Sequence, residues 1–319
     1  MDTVSPPAPQ EQAELRQRFY NAEVIERIDV HDNLTRLRVR PDEPFPAFQP
    51  GQYVALGLGN WEPRLQPSQD EPLHQNKLRK LVRRAYSISC PMIDDEGRLL
   101  TCADVDYLEF YITLVRYAGT DGGKPPALTP RLFMLRRGDR LCLEKKIVGR
   151  YVLENIAPED TVLLLATGTG EAPHNAMVAQ LLRSGHHGPI VLATTGRLLQ
   201  DFAYREIHDV LSRQYPQLRV FRFTTREPHN LDPQHPKYVG KQYLQKLFAS
   251  GKLAELSGVD LSPKSTHVFL CGNPAMIGYN PPGAAPLPEP GMLPLLTAAG
   301  FRQETDTAGV GSVRFEKYW

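Results

Sequence analysis

Five apolar residues in a row, Val162-Leu163-Leu164-Leu165-Ala166, run straight into Thr167-Gly168-Thr169-Gly170-Glu171-Ala172-Pro173. An apolar run without polar alternation, ended by a glycine turn, predicts a buried strand feeding a helix. The rest of the second half keeps that rhythm. Strands are expected at 189–195, 218–224 and 267–271, with helices at about 174–184, 202–214 and 240–249 between them. Strand and helix in alternation imply a parallel sheet wrapped by helices, with ligands at the carboxyl ends of its strands. Two glycine-bearing turns fall at such ends, 167–173 and Cys271-Gly272-Asn273-Pro274.

The first half has another period. Short β segments at 22–28, 34–39, 53–58 and 109–115 are punctuated by Pro and Gly, and 141–143 with 150–153 are expected to finish the set. This suits a closed antiparallel barrel better than a layered α/β unit. With 319 residues there is room for two domains of about 150 each. The expected division is a tail at 1–17, a barrel at 18–157 and an α/β domain at 158–319, with Ala157-Pro158-Glu159-Asp160 as the joint. The 29 prolines, about twice the usual share, point to many loops, among them 279–291 ahead of a helix at 292–299.

The barrel carries Arg83-Arg84-Ala85-Tyr86-Ser87-Ile88-Ser89. On a strand, Arg84 and Tyr86 share one side while Ala85 and Ser87 take the other. A guanidinium beside a phenol suits a phosphate-bearing aromatic cofactor, although an amphipathic strand with one exposed Arg reads the same way. This segment, the 162–173 turn and the 268–274 turn, in that order and spacing, resemble the ferredoxin–NADP reductase family of two-domain flavoproteins. The ending Phe315-Glu316-Lys317-Tyr318-Trp319 resembles the aromatic tail of its bacterial branch. The likeness runs from about residue 18 to the last.

The resemblance implies an N-terminal antiparallel β-barrel FAD-binding domain and a C-terminal Rossmann-like parallel α/β NADP-binding domain. For FAD it implies Arg84, Ala85, Tyr86, Ser87, Tyr111, Ala127, Leu128, Thr129, Thr169, Tyr318 and Trp319. Tyr86 and Tyr318 take opposite faces of the isoalloxazine, Trp319 packs near the adenine, and Leu128 and Thr129 serve the pyrophosphate. Thr129 also reads as a helix cap before Pro130, and the aromatic tail as filler of an apolar groove. For NADP it implies Thr167, Gly168, Gly170, Arg197, Thr225, Arg226, Lys241, Gly272, Asn273 and Pro274. The turn is not the GxGxxG of the dehydrogenase fingerprint. Where an NAD site favours an acidic residue, Arg197 follows the second strand, Arg226 the third, and Lys241 precedes the next helix; the resemblance puts them at the 2'-phosphate, so NADPH is the expected dinucleotide.

The implied reaction passes a hydride between NADPH and flavin near Ser87, Cys271, Glu316 and Tyr318, and single electrons to or from a ferredoxin or flavodoxin. Ser87 orients, Tyr318 must move to admit nicotinamide, and Cys271 reads equally as a small buried residue. The basic cluster Lys77, Arg79 and Lys80 beside Arg83 and Arg84 could dock an acidic carrier, or simply be solvated. Two alternatives stay open: the reductase component of an oxygenase or a free flavin reductase, and a non-catalytic dinucleotide-sensing module.

Other classes are disfavoured. With 37 Lys and Arg against 36 Asp and Glu, the charge balance argues against nucleic-acid binding. The four cysteines, Cys90, Cys102, Cys142 and Cys271, form no CxxC pair, and no metal is expected. Residues 1–17 lack the apolar centre of a signal peptide, and no apolar run reaches the roughly 20 residues of a membrane span. A cytoplasmic monomer is the expectation.

Overall fold

The computed structural model describes residues 6–119, 123–280, 287, 289–303 and 311–318. The chain forms two compact units. The first takes in the chain up to Phe48, Gln52–Ile88 and Ala103–Gly149; the second takes in Gln49–Gly51, Ser89–Cys102 and the chain from Arg150 onward.

In the first unit, helix α1 (Pro9–Phe19) precedes strands β1 (Ala22–His31), β2 (Leu34–Pro41) and β3 (Tyr53–Gly59). After a short α2 (Gln75–Leu78) come β4 (Leu81–Ser87), β5 (Leu108–Thr113), α3 (Thr129–Leu132) and β6 (Arg140–Leu143). The strands pair antiparallel in the order β4-β3-β6-β1-β2-β5. Alternation decides which side of each strand is inside. Val24, Leu37, Val39, Val54, Leu56, Phe110, Ile112 and Leu141 meet in one buried cluster. The Tyr86 ring of β4 meets the Phe110 ring of β5 edge-on at 6.5 Å, so the two end strands of the order come together over a shared core. That is the barrel-like closure the spacing predicts. On the opposite side of β2, Arg36 and Arg38 donate to the buried Glu109 carboxylate of β5 at 3.2 and 2.7 Å, which pairs charge that an apolar sheet face could not accept alone.

One expectation is corrected here. Residues 150–153 form no strand and group with the second unit; the barrel is completed instead by the isolated bridge between Val148 and Tyr53. Gly149, at φ +127°, ends this ribbon, and a Cβ there would lie 3.2 Å from the Tyr53 ring and 3.4 Å from the Gln52 α-carbon, a position that favours glycine.

The second unit alternates as its sequence suggests: β7 (Thr161–Thr167), α4 (Glu171–Arg183), β8 (Ile190–Gly196), α5 (Arg205–Gln214) and β9 (Leu218–Thr224). There follow α6 (Pro228–Leu231), α7 (Leu244–Ala249), α8 (Lys252–Ser257), β10 (Thr266–Gly272), α9 (Pro274–Ile277), α10 (Met292–Ala298), β11 (Arg302–Gln303) and β12 (Ser312–Lys317). The helix expected at 240–249 is shorter than its pattern, starting only at Leu244. All six strands are parallel, in the order β11-β12-β10-β7-β8-β9. Leu163, Leu165, Val191, Val268 and Leu270 face Leu244, Leu253, Met276 and Leu296 in one core, while α4 and α5 pack on the sheet from the other side. From β7 the chain proceeds outward through β8 and β9, then returns to β10 on the far flank of β7. The order therefore reverses between β7 and β10, and an open parallel sheet binds its ligand in the crevice beyond such a reversal.

Candidate functional site

Both glycine turns lie at that reversal. Thr167 Oγ1 accepts a hydrogen bond from the Asn273 amide at 2.7 Å, stitching the end of β7 to the end of β10. The fit is tight. A Cβ on Gly272, which sits at φ +121°, would lie 2.4 Å from Thr167 Oγ1, and one on Gly170 would lie 2.4 Å from the Cys271 carbonyl oxygen. Gly168, at φ +53°, has nothing within 4 Å of its Cβ position, so the turn presents open backbone at the crevice. Asn273 Oδ1 accepts from the Ala275 amide at 2.8 Å and caps α9, leaving Pro274 at the first helical position.

The tail reaches the same place. In parallel register, Cys271 lies opposite Glu316, and the Tyr318 amide donates to the Gly272 carbonyl at 3.1 Å. Burial pushes the Cys271 thiol up, opposed by the Tyr318 hydroxyl, so the thiol is protonated at neutral pH. Burial likewise raises the half-buried Glu316 carboxyl, against the pull of Lys317. Cys271, Gly272, Glu316 and Tyr318 are thus gathered by two neighbouring strands. Trp319 lies outside the described residues.

The cations converge one strand further on. The Thr225 amide donates to the Gly196 carbonyl at 3.2 Å and the Arg226 amide to the Arg197 carbonyl at 2.8 Å, so the two arginines leave adjacent strand ends side by side. Lys241 is brought in by its neighbour Gln242, whose amide donates to the Thr224 carbonyl at 3.3 Å and whose carbonyl accepts from Thr195 Oγ1 at 3.5 Å. All three side chains are exposed. The carboxylates in these loops are turned to backbone: Asp201 accepts from the Arg197 and Leu198 amides, Glu227 from the Leu199 amide. What remains is a patch of positive charge suited to an anion.

In the first unit, Arg84 and Tyr86 pair across β3 with Leu56 and Val54, so they share a face as alternation requires. Arg84 is exposed and donates to the Arg83 carbonyl at 2.8 Å; Ala85 is exposed, Tyr86 half-buried and Ser87 buried. Burial raises the Tyr86 phenol well above its ordinary value. Tyr111 is buried on β5, next to the inward Phe110. Leu128 is buried and Ala127 half-buried ahead of α3. The Thr129 hydroxyl bridges Val115, donating to its carbonyl and accepting from its amide, both at 3.1 Å, which ties α3 to the end of β5. Of the basic cluster, Arg79 is held by Glu11 and Arg83 by Glu144, the latter at 2.7 Å, while Lys77 and Lys80 stand exposed. A surface cavity of about 680 Å³, lined by Arg16, Tyr20, Glu62, Arg131 and Arg140 among others, holds none of the residues singled out above.

Sequence reasoning misses a set of polar residues at the start of α4. Glu171, His174 and Asn175 are all at most 2% exposed. Asn175 Nδ2 donates to Ser89 Oγ at 3.3 Å, Ser89 Oγ donates to Tyr204 OH at 3.0 Å, and Asn175 Oδ1 meets His208 Nε2 at 2.9 Å. The only available signal is that Glu, His and Asn fall within five positions of a glycine turn, where an apolar helix face is expected. Burial pushes the Glu171 carboxyl up to about 7, opposed by the nearby Thr194 hydroxyl and Arg222 guanidinium, and its Oε1 has no partner among the described residues. The folded state holds this proton more tightly than the unfolded chain, whose carboxyl titrates near 4.5. Its stabilising contribution is therefore complete below about 4.5 and lost as pH rises through about 7, a difference on the order of 3 kcal/mol. Glu171→Gln is expected to flatten the fall in denaturant midpoint across that window; an unchanged slope would contradict the assignment.

Comparison with known proteins agrees with this geometry. Residues 164–280 match the family model described as an oxidoreductase NAD-binding domain. The chain is 29% identical over 197 residues to the flavodoxin/ferredoxin–NADP reductase of Escherichia coli, covering 61% of this chain and 69% of that one. It is 27% identical over 239 residues to the ferredoxin–NADP reductase of Pseudomonas aeruginosa, covering 72% and 75%. Its fold resembles a ferredoxin NADP+ reductase from Neisseria gonorrhoeae solved with bound FAD and NADP, with a TM-score of 0.67 at 17% identity over 93% of this chain and 98% of that one.

Proposed function

We propose, on the premise that this chain belongs to the ferredoxin–NADP reductase family, that it is an FAD-containing oxidoreductase exchanging a hydride with NADPH and single electrons with a ferredoxin or flavodoxin. The observation that carries the dinucleotide half is the site at the sheet reversal. Two glycine turns meet there, and Arg197, Arg226 and Lys241 converge beside them with no carboxylate partner among the described residues.

The residues fit both groups. Arg197, Arg226 and Lys241 take the 2'-phosphate, with Thr225 beside them. Thr167, Gly168, Gly170, Gly272, Asn273 and Pro274 take the pyrophosphate and nicotinamide, where bare backbone lets a ligand approach. In the first unit Arg84 and the Tyr86 ring, with Ala85, Ser87, Tyr111, Ala127, Leu128 and Thr129, would hold FAD, and the family resemblance adds Thr169, Tyr318 and Trp319 from the second. When bound, the flavin supplies the conversion between two-electron and one-electron transfer, which no side chain here can perform. Ser87 orients by hydrogen bonding. Burial raises both the Cys271 thiol and the Glu316 carboxyl, which disfavours negative charge beside a departing hydride. Tyr318 would pack on the flavin ring and would have to move to admit nicotinamide.

The exposed Lys77 and Lys80 support an acidic carrier as partner, because opposite charge speeds encounter and salt weakens it. Reduction of flavodoxin by NADPH should slow roughly tenfold between low and high salt, while reduction of a small neutral dye stays constant. Lys77→Glu with Lys80→Glu should raise KM for flavodoxin and leave the dye rate alone. Equal salt dependence for both acceptors would remove the docking role.

A further inference from the structure

Strands β3 and β4 pair from end to end, Gly59 opposite Leu81, a hairpin that a turn of about two to five residues could close. Residues 60–80 close it instead, and none of the roles above uses their first half. Asn60 shuts the base, its amide donating to the Lys80 carbonyl at 3.0 Å, and Trp61 and Leu65 root the loop in the barrel core. From there it runs against a second stretch, 116–131. The Leu65 amide donates to the Pro130 carbonyl at 2.9 Å, and the Gln69 amide to the Arg116 carbonyl at 2.8 Å. The Gln69 side chain accepts from the Ala118 amide at 2.7 Å and donates to the Gly123 carbonyl at 3.3 Å. Arg116 returns the contact by donating to the Pro67 carbonyl at 2.9 Å.

Two guanidiniums complete the joint. Arg64 donates to the Gln69 carbonyl at 2.9 Å and to the Pro126 carbonyl at 3.1 Å. Arg131, 2% exposed, donates to the Ala127 carbonyl, to the Asn60 carbonyl at 3.1 Å and to Glu71 at 2.7 Å. The peptides on either side of Ala127 are trans, so the carbonyl and the amide hydrogen of each plane point opposite ways. Drawing the Pro126 and Ala127 carbonyls onto the arginines therefore turns the Ala127 and Leu128 amides away from them. Neither amide donates to a group among the described residues. The Thr129 hydroxyl, next in line, is engaged with Val115 in both directions. Backbone is thus the donor here, and two successive amides without acceptors suit an anion.

We infer that loop 61–71 is a brace built into the barrel, in which Arg64 and Gln69 are positioning residues that hold the 116–127 backbone with the Ala127 and Leu128 amides turned toward a diphosphate. The inference deepens the proposed function and rests on it for the identity of that diphosphate as the one in FAD. Its first test needs no cofactor. In the full chain without flavin, hydrogen exchange of the Ala118 amide, which Arg64 does not touch, should quicken roughly tenfold in Arg64→Ala, as for one lost hydrogen bond. The Leu65 amide should respond likewise in Gln69→Leu, while amides of the β1–β2 ribbon keep their wild-type rates. The dissociation constant for FAD should rise roughly tenfold in either variant, and that for riboflavin, which carries no phosphate, should stay within about twofold. Arg64→Lys, which has no planar fork to span two carbonyls, should fall between wild type and Arg64→Ala. Unchanged exchange in both variants, or riboflavin weakened as much as FAD, would overturn the inference. If Arg64→Ala does not fold, Arg64→Lys and Gln69→Leu decide. Wild-type protein that binds no FAD would sink the proposed function, while the exchange rates would still judge the brace.

Discussion

Replacing Arg197 and Arg226 together by alanine is expected to raise KM for NADPH roughly 100-fold, with kcat within about twofold and NADH oxidation unchanged. The two arginines leave the ends of β8 and β9 tied by a backbone hydrogen bond of 2.8 Å, so both guanidiniums can address one phosphate. A charge-assisted contact is worth about 1.5–3 kcal/mol, and two exposed ones at the lower end make about 3 kcal/mol. The loss belongs in KM because the 2'-phosphate is bound alike before and during hydride transfer. Steady-state kinetics with each dinucleotide reads it directly. Equal losses for NADH and NADPH would mean that these residues support the loop and not the phosphate.

The second large effect is structural. Gly272→Ala is expected to cost at least about 3 kcal/mol in chemical denaturation of the second unit. Its φ of +121° is strained for any residue with a side chain, and its Cβ would fall 2.4 Å from Thr167 Oγ1 and 2.7 Å from the Thr167 carbonyl oxygen. Backbone cannot yield as a flexible side chain can. The same insertion breaks the bond between Thr167 Oγ1 and the Asn273 amide, so NADPH binding should weaken even in protein that still folds. Gly185→Ala is the control: φ is +78° but nothing lies within 4 Å, and only the backbone cost of about 1 kcal/mol is expected. Equal losses at the two positions would show that crowding between β7 and β10 is unimportant.

The second unit was readable because a strand covered on both sides must be apolar throughout, as at 162–166, and glycine marks where backbone must come close. The tail was harder. Ser312-Val313-Arg314-Phe315-Glu316-Lys317 mixes charge with apolar residues, yet it is β12, inside the sheet, with Arg314 buried because carbonyls of 152 and 154 satisfy it. Nothing local in the sequence announces such distant partners. The same holds for 89–102, which follows the first unit's β4 in sequence but belongs to the second unit through Ser89, Asn175 and Tyr204. The cation site was legible in kind, since three basic residues follow three turns; their convergence depends on hydrogen bonds between loops.

The central claim is that this chain passes a hydride from NADPH to a flavin it holds. Rapid mixing of the flavin-loaded protein with NADPH under anaerobic conditions measures that step in isolation. The account predicts loss of the visible flavin absorbance within one turnover, at least roughly 100-fold faster with NADPH than with the same low concentration of NADH. A purified protein that holds no flavin, or a flavin that stays oxidised under NADPH, would contradict it.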